Sequence, residues 1–313
     1  MRNWAVLSAV LCWSFIASAQ TPAASPGSAS PSYEAARDAI ARRDYAAALA
    51  ILRPLAAQGV ARAQSTLGTM YAIGMGVPKD AVEAVSWFRK AADQGFPEGQ
   101  SNLATAYAGG AGLPKDDAEA MKLYRRAADQ GYAPAQFFLA NALRDKPGDA
   151  NSPKEAVGWY RKAADQGYVQ AQDSLGNMYF LGQGVAKDEV QAVSWYRKAA
   201  EKGLASAECN LGAMYQHGAG VAVDDAAALS WFRKAADQNF PPAMARLGEI
   251  YDKGIGVAKD PIEAYKWLVL AAVQKDDDAR QEIADLSGRM TKEQIDQAKQ
   301  AATAWIGSHS QQR

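Results

Sequence analysis

The sequence predicts an all-α protein, a right-handed α-solenoid of αα-hairpin repeats with a 36-residue period. The pattern of residues 168–203 recurs along most of the chain at that interval. Apolar residues fall at helical spacing in both halves of the stretch, and a glycine-containing connector separates the halves. A helical hairpin of this size buries its apolar face only against its neighbours, so the repeats are expected to stack.

Each half of this stretch reads as one helix. The two apolar stripes are formed by Ala171, Leu175, Gly176 and Tyr179 in the first half and by Ala192, Trp195, Tyr196, Ala199 and Ala200 in the second. Gly182 and Gly184 end the first helix, since glycine tolerates left-handed backbone. Asp188 and Gln191 are expected to cap the second helix, which ends at Gly203.

The N-terminus has the features of a secretory signal peptide, assigned to residues 1–19. Arg2 precedes an apolar run, and cleavage is expected after Ala19. Leu11 is too large for a lipoprotein-type cleavage site before Cys12. An uncleaved anchor is the alternative, although the run is short for a membrane span. Residues 20–31, rich in Ala, Ser, Pro and Gly, are predicted to be a disordered linker.

A single solenoid is predicted over residues 32–306. It comprises an N-terminal cap at 32–59, six repeats at 60–275 and a C-terminal helical cap at 276–306, followed by a disordered tail at 307–313. Leucine marks one position of every repeat, at Leu67, Leu103, Leu139, Leu175, Leu211 and Leu247. Tryptophan marks another and is interpreted as a core filler, at Trp87, Trp159, Trp195, Trp231 and Trp267. Thr291 and Gln294 form a capping box for the last helix.

The third repeat has an irregular connector. The segment LRDKPGDANSPKE lacks the tyrosine and the GxGV of its neighbours but preserves the repeat length. Drift in a tolerant loop and a partner-specific contact both explain it.

Composition and motifs give no support for catalysis or for a cofactor. Acidic and basic residues balance at 34 each, so nothing favours nucleic acid as a partner. His217 and His309 are far apart and lack nearby cysteine or carboxylate ligands at metal-binding spacing. After signal cleavage Cys209 is the one remaining cysteine, interpreted as a small residue in a tolerant position, with a reactive or intermolecular thiol as the alternative.

The recurring residues AxxxLGxxYxxGxGVxxDxxxAxxWFRKAAxxG resemble the Sel-one-like repeats of the tetratricopeptide superfamily, bacterial exported type. The resemblance implies an interaction scaffold whose first helices line a concave face. Exported members are similar to regulators and assembly factors in envelope polysaccharide, motility, stress signalling or host contact. One exported branch carries a disulfide in each repeat and binds penicillin-like compounds, and this chain departs from it in cysteine content.

The sequence therefore predicts a periplasmic or secreted scaffold or regulator, monomeric and without membrane insertion after signal cleavage. It binds a protein or peptide partner on the concave face, in envelope assembly, signalling or host contact. Positions that vary between repeats are taken to be free of packing, which gives the candidate partner-binding residues Phe137, Asn141, Asp173, Asn177 and Phe180. The alternative is an envelope enzyme or enzyme subunit acting on peptidoglycan or penicillin-like compounds.

Overall fold

A computed structural model describes residues 32–145, 151–274 and 277–310. These residues form sixteen α-helices and no β-strand. The helices are α1 (Tyr33–Ala41), α2 (Tyr45–Ala57), α3 (Ala61–Ile73), α4 (Ala81–Asp93), α5 (Pro97–Gly109), α6 (Asp117–Asp129), α7 (Ala133–Arg144), α8 (Ser152–Asp165), α9 (Val169–Leu181), α10 (Glu189–Ala200), α11 (Ala205–His217), α12 (Asp225–Asp237), α13 (Pro241–Lys253), α14 (Pro261–Val273), α15 (Asp277–Ser287) and α16 (Lys292–Ser310). The predicted signal peptide and linker lie outside the described residues, as do residues 146–150 of the irregular third connector.

The chain divides into two compact units, residues 1–139 and 140–313. In the first unit, each helix from α1 to α6 packs against the next one along the chain. In the second unit, α8 to α14 follow the same rule, and α15 and α16 both pack on α14. The predicted all-α solenoid of helical hairpins is therefore confirmed.

The predicted helix ends are confirmed where they are described. The carboxylate of Asp188 accepts a hydrogen bond from the Gln191 amide at 2.9 Å, and Gly203 has a φ of +79°. Thr291 and Gln294 make both hydrogen bonds of a capping box. The last helix, α16, continues to Ser310, four residues beyond the predicted end at residue 306. Its final turn is held by the His309 ring, which stacks on Trp305 at 3.9 Å.

The core follows the predicted stripes. Leu175 is fully buried and Tyr196 is 2% exposed, while the Tyr196 ring occupies the space that a side chain at Gly176 would need. The core-filler interpretation of tryptophan holds for Trp159, Trp195 and Trp267, which are buried; Trp87 and Trp231 are half-buried. In four repeats a lysine ammonium lies about 4 Å from the tryptophan ring centroid, at Lys90, Lys162, Lys198 and Lys234.

The connector glycine Gly184 adopts a positive φ, and its lack of a side chain also makes room for the preceding repeat. A Cβ atom placed on it would lie 2.3 Å from the carbonyl carbon and oxygen of Pro153, in the second helix of the preceding repeat. Gly112 lies equally close to Ala81 in the first unit, at 2.2 Å. Consecutive hairpins therefore touch through backbone at this position, and the absence of a side chain allows the contact.

We expect Gly184→Ala to destabilise the protein at least about twice as much as Gly203→Ala. Both glycines have positive φ, so each alanine carries a left-handed penalty of about 1–2 kcal/mol. A Cβ on Gly203 meets no atom within 4 Å, whereas a Cβ on Gly184 collides with the backbone of Pro153. Urea unfolding of the two variants and the wild type measures the difference. Equal losses would show that backbone angle alone selects glycine in the connector.

Candidate functional site

The five predicted binding residues do not form one set in the structure. Phe137 lies in the first unit, where its ring packs edge-on against Phe138 at 5.4 Å between centroids. The other four lie in the second unit, Asn141 on α7 and Asp173, Asn177 and Phe180 on α9. We call Asn141, Asn177 and Phe180 the asparagine surface, because the two amides are its common feature and all three side chains are half-buried.

Each asparagine is fixed by a tyrosine hydroxyl of its own repeat. Tyr160 donates to Oδ1 of Asn141 at 2.6 Å, and Tyr196 donates to Oδ1 of Asn177 at 2.8 Å. Burial raises the pKa of Tyr160 to about 12 and that of Tyr196 still further, so both hydroxyls remain protonated donors. The assumption that these asparagines are free of packing is therefore wrong, because a buried hydroxyl needs a hydrogen-bond partner.

A sequence signal for these pairs exists in the repeats themselves. The residue nineteen positions before each tyrosine is polar, and Thr105 pairs with Tyr124 in the same way at 2.9 Å. Phenylalanine replaces the tyrosine at Phe232, where alanine stands at the partner position, Ala213, but also at Phe88, where the polar Thr69 is kept. Comparing the two positions along the repeats therefore gives only a partial signal for the contact.

Asp173 joins its repeat to the following one. It is 9% exposed, and its two carboxylate oxygens accept hydrogen bonds from Ser206 Oγ at 2.9 Å and Asn210 Nδ2 at 3.1 Å, both on α11. Burial raises the pKa of Asp173, and the two hydrogen bonds offset part of this increase. Asp173 therefore also has a structural role, contrary to the assumption that its position is free of packing.

The neighbouring thiol of Cys209 is half-buried and forms no disulfide. Burial raises its pKa to about 12, so the thiol is protonated and a weak nucleophile at neutral pH. This favours the interpretation of Cys209 as a small packing residue over that of a reactive thiol.

Phe180 and Leu181 give the second unit its apolar surface near the asparagines. Leu181 is 57% exposed at the end of α9, and the ammonium of Lys187 lies 5.7 Å from the Phe180 ring centroid. Aromatic residues are enriched at protein interfaces, which makes the half-buried Phe180 a candidate contact.

A series of buried glutamines was missed by the sequence interpretation. Gln64, Gln136 and Gln172 occupy the fourth position of their repeats, and each donates through Nε2 to an alanine carbonyl of the preceding helix, at 3.1 to 3.2 Å. Their recurrence at 36-residue intervals was the available signal. These bonds connect one repeat to the next through buried polar groups.

Neither a membrane-spanning helix nor a metal-binding cluster is found among the described residues. No helix among them is long and apolar enough to cross a membrane. Within the same ranges, no group of three or more His, Cys, Asp and Glu residues is arranged to hold a metal ion.

Stacked hairpins, repeated packing residues and a variable surface define a helical repeat scaffold as the class of protein. The sequence pattern of the Sel1 repeat matches residues 61–96, 97–132, 133–168, 169–204, 205–240 and 241–276. The chain therefore belongs to the Sel1 repeat family, and the predicted resemblance is confirmed. The matched repeats begin one residue later than the predicted boundary at residue 60.

Two solved structures agree with this assignment. A Sel1 repeat protein from Oxalobacter formigenes is 35% identical with a TM-score of 0.69, over 76% of this chain and 96% of that one. The protein c5321, a protective antigen of uropathogenic Escherichia coli strains with an SLR fold, is 31% identical with a TM-score of 0.55, over 90% of this chain and 69% of that one. Comparison with curated proteins gives no match. Proteins of this family typically mediate protein–protein interactions, which supports a scaffold.

We expect Asp173→Asn to raise the free energy of unfolding relative to the wild type by more at pH 7 than at pH 3.5. The folded state holds the Asp173 proton more tightly than the unfolded state, since burial raises its pKa above the ordinary 3.8. The contribution of Asp173 to the free energy of unfolding therefore falls as the pH rises from 3.8 through the raised pKa. Asparagine does not titrate, so the variant does not lose this stability. Thermal unfolding at the two pH values measures it, with the exposed Asp296→Asn as control. A pH-independent difference would contradict the assignment.

Proposed function

We propose that the chain is an exported repeat scaffold or regulator that binds an extended protein or peptide segment on the first-helix face of its second unit. The asparagine surface is the proposed contact. The observation that carries the proposal is the pair of asparagines, one repeat apart, whose amides are both oriented by tyrosine hydroxyls.

The chemistry of these amides suits a peptide backbone. The tyrosines use Oδ1 of Asn141 and Asn177, and the Nδ2 groups are not part of those bonds. An amide nitrogen donates to carbonyl oxygens, which an extended peptide presents at regular intervals. Because the tyrosines already restrict the asparagine side chains, less conformational entropy is lost on binding. Phe180 would supply apolar contact beside them.

The remaining predicted residues have different proposed parts. Asp173 is proposed to stabilise the asparagine surface indirectly, because its hydrogen bonds to Ser206 and Asn210 join α11 to α9. Phe137 belongs to the first unit, and its part in partner binding stays a separate prediction.

Export to the periplasm is part of the proposal. It is supported by the basic start, apolar run and small residues of the first 19 positions. A role in envelope assembly, signalling or host contact is proposed with it. The fold is generally a non-enzymatic interaction scaffold, so binding rather than catalysis is the proposed activity. Hydrolysis of nitrocefin or peptidoglycan by the purified protein would favour the enzyme alternative instead.

We expect Asn141→Asp combined with Asn177→Asp to weaken partner binding roughly tenfold or more, since each change removes a donor worth about 1 kcal/mol. Aspartate retains the oxygen that accepts from the tyrosine, so the fold should be preserved. The partner is first identified by placing the photo-crosslinking residue p-benzoylphenylalanine at position 180 in intact cells and analysing the product by mass spectrometry. Affinity is then measured with the purified partner.

Two controls accompany this experiment. Gln183→Glu combined with Gln191→Glu, at two exposed positions outside the asparagine surface, introduces the same two negative charges and should leave affinity unchanged. The crosslinking residue placed at Val190, 64% exposed on the second helix, should not capture the same partner. Equal capture at both positions, or unchanged affinity of the double variant, would remove the asparagine surface from consideration.

We expect the exported protein to begin at Gln20, since small residues precede the predicted cleavage site at Ala19. N-terminal sequencing of protein from the periplasmic fraction of an expressing Gram-negative host checks this. Full-length protein retained in the cytoplasm would overturn export, and full-length protein in the membrane fraction would indicate an uncleaved anchor.

A further inference from the structure

Three repeats make a hydrogen bond between their two helices that the repeat containing Gln172 does not make. The side chain at the fourth position of a repeat accepts from a glutamine near the end of the second helix. The three pairs described are Gln94 to Gln64 at 2.7 Å, Gln130 to Gln100 at 2.9 Å and Gln238 to Glu208 at 2.7 Å. In the repeat that contains Gln172, the donating glutamine is replaced by Lys202.

The replacement leaves a buried acceptor without a donor. Gln172 is 4% exposed, and its Nε2 is committed to the Ala164 carbonyl at 3.1 Å, which fixes where Oε1 lies. The Lys202 ammonium instead donates to the Gly167 carbonyl at 3.0 Å. Within the described part of the chain, no donor reaches Gln172 Oε1. Gln172 Oε1 has almost no exposed surface, so a ligand that brings an N–H or O–H group satisfies it only after neighbouring side chains move aside.

A surface pocket of about 380 Å³ opens at this point. Gln172, Trp195, Lys198 and Lys202 line it, together with the acidic residues Asp165 and Glu201. The Lys198 ammonium lies 3.8 Å from the Trp195 ring centroid, which holds it beside the pocket. Two lysines face two acidic residues, so the lining is neutral overall and gives no net attraction for an anion.

The lining specifies a neutral group that both donates and accepts. Gln172 Oε1 requires a donor, and the ammonium groups of Lys198 and Lys202 carry further protons that favour an acceptor. A carboxamide has both functions on one planar group of the size that the missing glutamine would have supplied. A carboxylate would place a lone pair against Oε1 instead.

We infer that this pocket, named the carboxamide pocket, binds the side chain of a glutamine or asparagine from a protein partner. The partner's amide nitrogen donates to Gln172 Oε1 and its carbonyl oxygen accepts from a lysine, in the place that Gln94, Gln130 and Gln238 fill in their repeats. The site shares no residue with the asparagine surface, so each can fail without the other.

The test uses capped amino acids as probes and a reciprocal pair of variants. N-acetyl-glutamine N-methylamide is titrated into the full chain, and the side-chain amide signals of Gln172 and Gln100 are followed by NMR. The capped glutamate serves as the matched probe without an N–H donor. Lys202→Gln restores the internal hydrogen bond, and Gln130→Lys creates the same gap in the second repeat.

The capped glutamine should shift the Gln172 signal of the wild type. The capped glutamate should bind with an affinity about fivefold lower, or weaker still, because it forms one hydrogen bond fewer. Lys202→Gln should abolish the shift and raise the melting temperature. Gln130→Lys should lower the melting temperature and make Gln100 respond to the capped glutamine.

Three results would overturn the inference. Equal shifts with the capped glutamate would identify a site for anions. Absence of any shift at Gln172 would mean that solvent alone satisfies the buried oxygen. A shift retained in Lys202→Gln would place the binding elsewhere.

Discussion

Consecutive hairpins of this protein meet at a backbone contact that leaves no room for a side chain. Gly184 lies against Pro153 and Gly112 against Ala81, in each case on the first turn of the preceding second helix. The distance between hairpins is therefore set by backbone atoms, which cannot adjust as side chains do. Every other contact between neighbouring repeats, apolar or polar, has to fit this spacing.

Buried polar groups form hydrogen bonds between repeats that are held at that spacing. Glutamine amides reach the carbonyls of the preceding helix, and Asp173 accepts from Ser206 and Asn210 of the following repeat. Such groups are stabilising only when both partners are present, so a change at one of these positions affects the other. Lys202 breaks this coupling, since Gln172 retains its donor bond and loses its acceptor bond. A repeat that departs from the pattern thereby gains an unsatisfied group that a partner can use.

The sequence predicted which helices carry the candidate residues, and their role in binding stays a prediction. Asn141, Asn177 and Phe180 are half-buried on first helices of the second unit, as variable positions suggested. Their packing could not be inferred from variability alone, since a residue also varies when it follows its partner. The exchange of tyrosine for phenylalanine at Phe232 with alanine at Ala213 is one sign of the pairing, but Phe88 keeps the polar Thr69, so the sequence pattern alone does not settle it. Variability predicts that Asp173 is free of packing, whereas the structure buries it and pairs it with Ser206 and Asn210 of the next repeat.

The sequence by itself determined the helical class, the 36-residue period, the helix caps and the stacking residues, because these depend on local spacing and on one pattern repeated many times. Only the tertiary structure decided which polar atoms of the described residues pair across repeats and which, such as Gln172 Oε1, stay unpaired. Hydrogen bonds depend on distances of a few tenths of an ångström between residues about 30 positions apart, and sequence spacing does not resolve such distances. The carboxamide pocket at Gln172 is visible for that reason in the structure alone.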